Sequence, residues 1–211
     1  MPKADMERHI AYDIGAAGVS TALADALNAP AILSNFSRMV IDPNRGLDDP
    51  TLLMKLYDGS VIPANRDADI IEKARRVDAF YTPYHDALAG LAARQDNTII
   101  IAMHSFTPQL NGRPPRPWHI GILHALDDRL SDPLLDLLHA EQDLCVGDNE
   151  PYAGHLAGDA MDRHALQTGR ANALIEIRSD LIETPDQQVA WANRLALILK
   201  NARTRMEAAN A

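Results

Sequence analysis

Short apolar runs separated by longer stretches of helical periodicity predict an α/β chain. The expected architecture is a three-layer α/β/α sandwich around a mixed, mostly parallel central sheet. Three observations carry that expectation. Thr98-Ile-Ile-Ile-Ala-Met-His104-Ser-Phe106 is rich in β-branched residues and is bounded by Gln95-Asp96-Asn97 and Thr107-Pro108, the pattern of a short buried strand. Ala171-Asn-Ala-Leu-Ile-Glu-Ile-Arg178 is a second run of this kind. Between them and around them apolar residues recur every three or four positions, as in Ile70, Ile71, Ala74, Val77, Phe80, Tyr84, Leu88 and Leu91.

Taken in order, residues 5–28 read as a helix, with Ile10, Ile14, Ala17, Leu23 and Leu27 roughly on one face and Asn28-Ala29-Pro30 stopping it. His9 and Asp13 share a face on that reading, either as a surface hydrogen-bonded pair or as a pair cooperating on a ligand. Residues 31–33 read as a short strand. Residues 34–41 read as a loop leading into a second extended piece, and Asp42-Pro-Asn-Arg45-Gly46 as a turn. Residues 46–65 carry Pro50, Gly59 and Pro63, and structured loops of that length are often binding loops. A long helix is expected over 66–94, broken at Pro83, with His85 as a satisfied helix histidine. Residues 111–117 are too proline-rich for regular structure. Residues 118–124 alternate as a strand. Ser131 is the expected cap of a helix to about Glu141, with Pro133 in its first turn. A strand at 144–146, a short helix at 161–168 and a closing helix from Pro185 to about Met206 complete the pattern.

The bulk numbers narrow the function. The chain has 211 residues, 46% hydrophobic and 23% charged, which suits one globular domain with a sizeable core. A net charge of -9 argues against nucleic acid as a partner, which wants a basic face. It leaves room for an anionic small molecule held by local arginines. The single Cys145 excludes an internal disulfide and suits a reducing cytoplasm. No run approaches the roughly 18 apolar residues of a membrane span, so no membrane partner is expected. The oligomeric state is left open.

Two side chains interrupt the apolar runs. His104 sits towards the carboxyl end of its strand, the edge at which open α/β sheets place ligand crevices. There an imidazole either hydrogen-bonds to backbone or binds a metal or moves a proton. Glu176 lies inside Ala-Leu-Ile-Glu-Ile, where a carboxylate is costly to bury unless paired. It is either a general base with a raised pKa or the structural partner of Arg178, two residues along on the same face. Arg38, Arg45, Arg113, Arg116 and Arg178 fall at strand ends or in adjoining loops, where a planar guanidinium can grip a carboxylate. No Gly-x-Ser-x-Gly, His-Glu-x-x-His or Cys-x-x-Cys occurs. His124-x-x-Asp127 is a weak signal. Cys145 offers a thiol nucleophile or, more simply, a small hydrophobe.

With these residues assembled, the chain resembles the N-formylglutamate amidohydrolase family. The resembling pieces run in order: His9-Ile-Ala-Tyr-Asp13-Ile-Gly, Ser37-Arg38 with Ile41-Asp-Pro-Asn-Arg45, Met103-His104-Ser-Phe-Thr-Pro108, Arg116-Pro-Trp-His119, Asp148-Asn-Glu-Pro-Tyr152 and Glu176-Ile-Arg178-Ser-Asp180. The resemblance implies a zinc-carboxypeptidase-like fold, a place in histidine catabolism, and hydrolysis of the amide of an N-formyl or N-acyl acidic amino acid. It implies Zn2+ or another divalent metal held by His104 and Asp13, and Glu176 as the catalytic base. It implies a substrate grip by Arg38, Asn44, Arg45, Arg116, Asn149, Glu150, Tyr152 and Arg178. Family members also carry an earlier strand ending in a His-Ala or His-Ser-Gly type motif that supplies the first part of the metal site. Residues 1–211 begin past that motif, so a single domain shortened at its N-terminus is expected, with the metal weakly held or lost. Two competing readings follow: a relative that binds small carboxylates without turnover, and a thiol hydrolase using Cys145.

Overall fold

The structure, a computed structural model, describes residues 1–209. Among these the chain runs α1 (Lys3–Met6), α2 (Ala16–Leu27), β1 (Leu56–Tyr57), β2 (Ser60–Val61), α3 (Pro63–Arg66), α4 (Ile70–Arg76), a π-helical turn (Val77–Tyr81) and α5 (Thr82–Ala92). It continues through β3 (Ile100–Phe106), β4 (Ile120–Leu123), α6 (Ser131–His139), β5 (Val146–Asp148), α7 (Ala160–His164), β6 (Asn172–Arg178) and α8 (Pro185–Ala209). The central sheet has the order β3-β6-β4-β5. β3 and β6 are parallel, β4 and β5 are parallel, and β4 meets β6 antiparallel. The expected mixed α/β sheet between helices is therefore what forms.

Strand parity decides which side chains meet. On one face Ile120, Ile122, Ile175 and Ile177 pack against Val19 and Leu23 of α2, Leu134 and Leu138 of α6, and Leu195 and Leu199 of α8. On the other, Leu123 and Leu174 pack against Met161 and Ala165, with Ile100 and Ala102 beside them. His104 and Glu176 share the parity of Ala102 and Leu174, so they belong to this second face.

Several local expectations give way. The first helix does not run from residue 5. Residues 7–15 are turns, and α2 begins only after Gly15, whose φ is +77° and whose missing Cβ would stand 2.2 Å from the Ile182 carbonyl oxygen. Only glycine fits there, so the chain must kink before it enters the helix. Residues 31–33 and 38–41 form no strand; residues 28–55 hold no helix or strand at all. Their apolar side chains, Ile41 and Leu52, are buried instead against Tyr81. The long helix does not break at Pro83. Its register widens one residue earlier through the π-turn, and Pro83 sits in the first turn of α5, where its missing N–H costs nothing. Ser131 does not cap α6; its hydroxyl is buried without a partner.

Candidate active site

His104 and Glu176 are register partners on the adjacent parallel strands β3 and β6. The row continues across the sheet from Glu176 to Gly121 on β4 and Gly147 on β5. Two glycines in that row remove the side chains that would otherwise fill the face beside Glu176. The backbone of Glu150 takes the space instead: a Cβ on Gly121 would lie 2.0 Å from the Glu150 carbonyl oxygen, and one on Gly147 only 2.8 Å from the Glu150 Cβ. The 148–152 loop thus forms one wall of the depression over Glu176.

The turn before α2 forms the opposite wall. The kink at Gly15 swings Asp13 off any helix and onto the end of β3. One Asp13 oxygen lies 2.6 Å from His104 Nδ1, and the other accepts from Arg38. The backbone N–H of Ser105 also donates to Asp13, while the Ser105 hydroxyl donates to the Ile14 carbonyl at 2.8 Å. Burial alone would raise the Asp13 carboxyl, but Arg38, His104 and Ser105 together hold it below the usual carboxylate range. Burial alone would lower His104; the hydrogen bond and charge of Asp13 outweigh it, so the imidazole is held above its ordinary value. Arg38 is likewise raised, with burial opposed by Asp13 and Asp42.

Glu176 differs from all three. It is 8% exposed, and its Oε2 is buried with no hydrogen-bond partner. Burial pushes its carboxyl up to about 7; His104 opposes the rise, Asp13 adds to it, and Arg38 and Arg116 oppose it. Of the two alternatives for this residue, a structural pair with Arg178 is not made: the Arg178 guanidinium binds Asp180 at 2.8 Å and reaches towards the carbonyls of residues 116–118. An unpaired buried carboxyl poised near neutrality has the properties of a proton-transfer group.

Arg116 reaches the rim through Tyr152. Its Nη1 donates to the Tyr152 hydroxyl and the Thr107 carbonyl, each at 3.1 Å, and its guanidinium lies 5.0 Å from the Tyr152 ring centroid. Tyr152 in turn feels Tyr57 and Glu176 electrostatically. The structure therefore gathers Asp13, Arg38, His104, Arg116, Tyr152 and Glu176. Asn149 supports the wall from behind, its Oδ1 accepting from the His124 amide at 3.0 Å. Glu150 contributes backbone to the wall. Asn44 and Arg45 lie in the neighbouring turn, where Arg45 binds Thr51 and its own loop. Cys145 is exposed beside β5, two strands from Glu176, and its amide donates to His119 Nδ1.

Two participants lie outside the expected set. His9 is not on a helix face with Asp13; its Nε2 is buried without a full hydrogen bond, 3.6 Å from Asp58. Burial holds its pKa down, Asp58 opposes, and Arg8, Arg38 and Arg116 reinforce the fall. Ser105, inside the His-Ser-Phe motif, anchors the Asp13 turn to β3. The sequence singles out His9 only as a helix-face partner of Asp13, and the contact of Ser105 with the Ile14 carbonyl depends on the fold of the turn before α2.

An imidazole–carboxylate pair thus lies beside an unpaired carboxyl, with two guanidinium groups near it, at one edge of a mixed α/β sheet. The chain matches the family model described as N-formylglutamate amidohydrolase over residues 1–183, and it belongs to that family. The crystal structure of gene product Atu2144 from Agrobacterium tumefaciens is similar at 33% identity and a TM-score of 0.93, with 98% of this chain and 83% of that chain covered. An N-formylglutamate amidohydrolase from Ralstonia eutropha JMP134 shares the fold at 23% identity and a TM-score of 0.60, over 86% of this chain and 82% of that one. The search of curated proteins gave no match.

Proposed function

We propose that the chain hydrolyses the amide of an N-formyl or N-acyl acidic amino acid such as N-formylglutamate, releasing formate and the free amino acid. The observation that carries this reading is Glu176: buried, unpaired, and beside both the Asp13–His104 pair and two arginines. Family membership supports the substrate class. In this mechanism Glu176 takes a proton from water, and the resulting hydroxide adds to the formyl carbonyl. Arg38 or Arg116 stabilises the oxyanion as it forms. Glu176 then returns the proton to the departing amine as the C–N bond breaks. The substrate carboxylates are held by the arginines, with Asn44 and Arg45 gripping the α-carboxylate and Tyr152 closing the rim.

The residues present do not by themselves fit a catalytic zinc, which takes about three protein ligands. Among the described residues no group of three His, Cys, Asp or Glu could hold a metal ion, and Asp13 spends both oxygens on His104 and Arg38. The sheet is open at the same place. Ile100 donates its N–H to Ala171, so parity turns the backbone groups of Ile101 and Met103 away from β6. β3 is apolar on both faces yet sits at the sheet edge, without the charge, proline or bulge that normally protects one. The open edge of β3 beside His104 could accept a strand that brings a further ligand. The incomplete ligand set is the observation that supports a second reading, carboxylate binding without turnover.

Formate release from N-formylglutamate by the purified chain, with and without added Zn2+, tests both readings alongside calorimetric binding. Turnover supports the hydrolase, and binding alone supports the second reading. Neither formate nor binding heat at millimolar substrate would sink both.

A further inference from the structure

Outside the site lies a second cluster of buried polar side chains, around His85 and His164. It faces the Asp42–Arg45 turn, whose Asp42 is felt electrostatically by Arg38 of the site. That turn lies within residues 28–55, which hold no helix or strand, so no ladder of backbone bonds fixes it. Within the turn, Asn44 N–H donates to Asp42 Oδ1 at 2.9 Å and Arg45 N–H to the Asp42 carbonyl at 3.2 Å. The carbonyls on either side of Asn44, those of Pro43 and Arg45, must find partners elsewhere.

One relay supplies the second of them. Tyr81, at the end of the π-turn, donates its hydroxyl to the Arg45 carbonyl at 2.8 Å. The same oxygen accepts from Arg163 Nη1 at 2.9 Å, and the Arg163 guanidinium lies 5.4 Å from the ring centroid. One helical turn on, His85 packs on Tyr81 with ring centroids 4.1 Å apart, and its Nε2 is buried without a hydrogen-bond partner. Its Nδ1 lies 2.8 Å from His164 Nε2, the two rings nearly parallel at 14°. Arg163 and His164 are consecutive residues of α7. Tyr81 and His85, four apart, lie on one side of their helix. The relay therefore runs from α7, through a ring that is 1% exposed, to the carbonyl of Arg45, with the His85–His164 pair packed beside it.

We propose that Tyr81, braced by Arg163 and packed against the His85–His164 pair, is a positioning residue that locks the Asp42–Arg45 turn and so sets the affinity of the site for the substrate's carboxylate. The inference rests on the assignment of Asn44 and Arg45 to that carboxylate. Arg45 itself is held by its Nε on Thr51 at 3.1 Å and its Nη1 on the Asn44 carbonyl at 2.8 Å. Its Nη2 has no partner among the described residues and remains for a ligand. With the turn released, the fork loses its fixed direction, and binding weakens while the proton chemistry at Glu176 is untouched.

Tyr81→Phe removes one hydroxyl and keeps the ring. Loss of one buried hydrogen bond to a positioning carbonyl is expected to raise KM for N-formylglutamate about tenfold, with kcat within about twofold. Arg163→Met is expected to do the same, and the double variant to be little worse than either, because both break one relay. Arg163→Met carries the test by itself should Tyr81→Phe fold poorly. With the α-amide of N-formylglutamate, which lacks the gripped carboxylate, wild type and variants should give equal KM. If turnover is absent, calorimetric Kd values for the same ligands replace KM. Unchanged KM or Kd, a fall in kcat at constant KM, or a loss that persists with the amide would each overturn the proposal. Should wild type neither bind nor cleave N-formylglutamate, the underlying assignment fails first and the inference falls with it.

Discussion

His104 and His85 are both largely shielded from solvent, yet their surroundings move their pKa values in opposite directions. His104 faces a carboxylate that is itself neutralised by Arg38, and its imidazole is held above its ordinary pKa. His85 faces another histidine and Arg163. Burial first, then Arg163 and His164, drive it down to about 3, with only the Pro43 carbonyl in opposition. The contrast shows that the charges facing an imidazole decide whether the effect of burial is overcome or reinforced. The first cluster sets Asp13 against His104 beside Glu176. The second sets His85 against His164 beside Tyr81.

The largest expected effect comes from removing the proton carrier that the charged cluster surrounds. Glu176→Gln should lower kcat by about 10³-fold, measured as formate release, with KM little changed. The same variant sharpens the electrostatic argument. The folded-state pKa of Glu176 is raised from 4.5 to about 7, so its contribution to stability is present below about pH 4.5 and lost as pH rises through 7. Glu176→Gln should therefore be more stable than wild type at pH 8 and equal to it at pH 4 in urea unfolding. Equal stability at both pH values would mean that the carboxyl is solvated.

Next in size is Asp13→Asn, which converts the charged cluster towards the neutral kind. It leaves Arg38 and His104 without their anion and should cost about 3–5 kcal/mol in unfolding free energy. A loss below about 1 kcal/mol would show that the pair contributes no more than a surface ion pair. The smallest effect is at the neutral cluster. His85 is lowered from 6.5 to about 3, so its contribution is full above pH 6.5 and is lost as pH falls from there towards 3. Stability should drop by roughly 2–3 kcal/mol between pH 7 and 4.5 from this group, a slope that His85→Phe flattens. An unchanged slope in that variant would place the acid sensitivity elsewhere.

The two clusters were unequally legible. His104 and Glu176 interrupt apolar runs, so their strands and their chemical interest could be read from spacing, while their shared face needed the β3–β6 register. The His85–His164 pair could not. It joins residues 79 positions apart, on helices whose periodicity says only that both faces pack. Asp13 was picked out, but on a helix face that does not exist; the kink at Gly15 is what delivers it to His104. Residues 28–55 looked partly extended because Ile and Val cluster there, yet they bury those side chains around Tyr81 without joining a sheet. Strand composition without a neighbouring strand makes a packed loop.

Alternating hydrophobicity and the polar residues that break it were enough to point to an α/β sheet with an imidazole and an internal carboxyl on two of its strands, because periodicity is a property of local backbone geometry; that the two strands adjoin came from the fold. The row of glycines beside Glu176, the carboxylate behind His104 and the brace on the Asp42–Arg45 turn were decided only by the folded chain. Each depends on a contact between segments far apart in sequence, and such contacts leave no period to read.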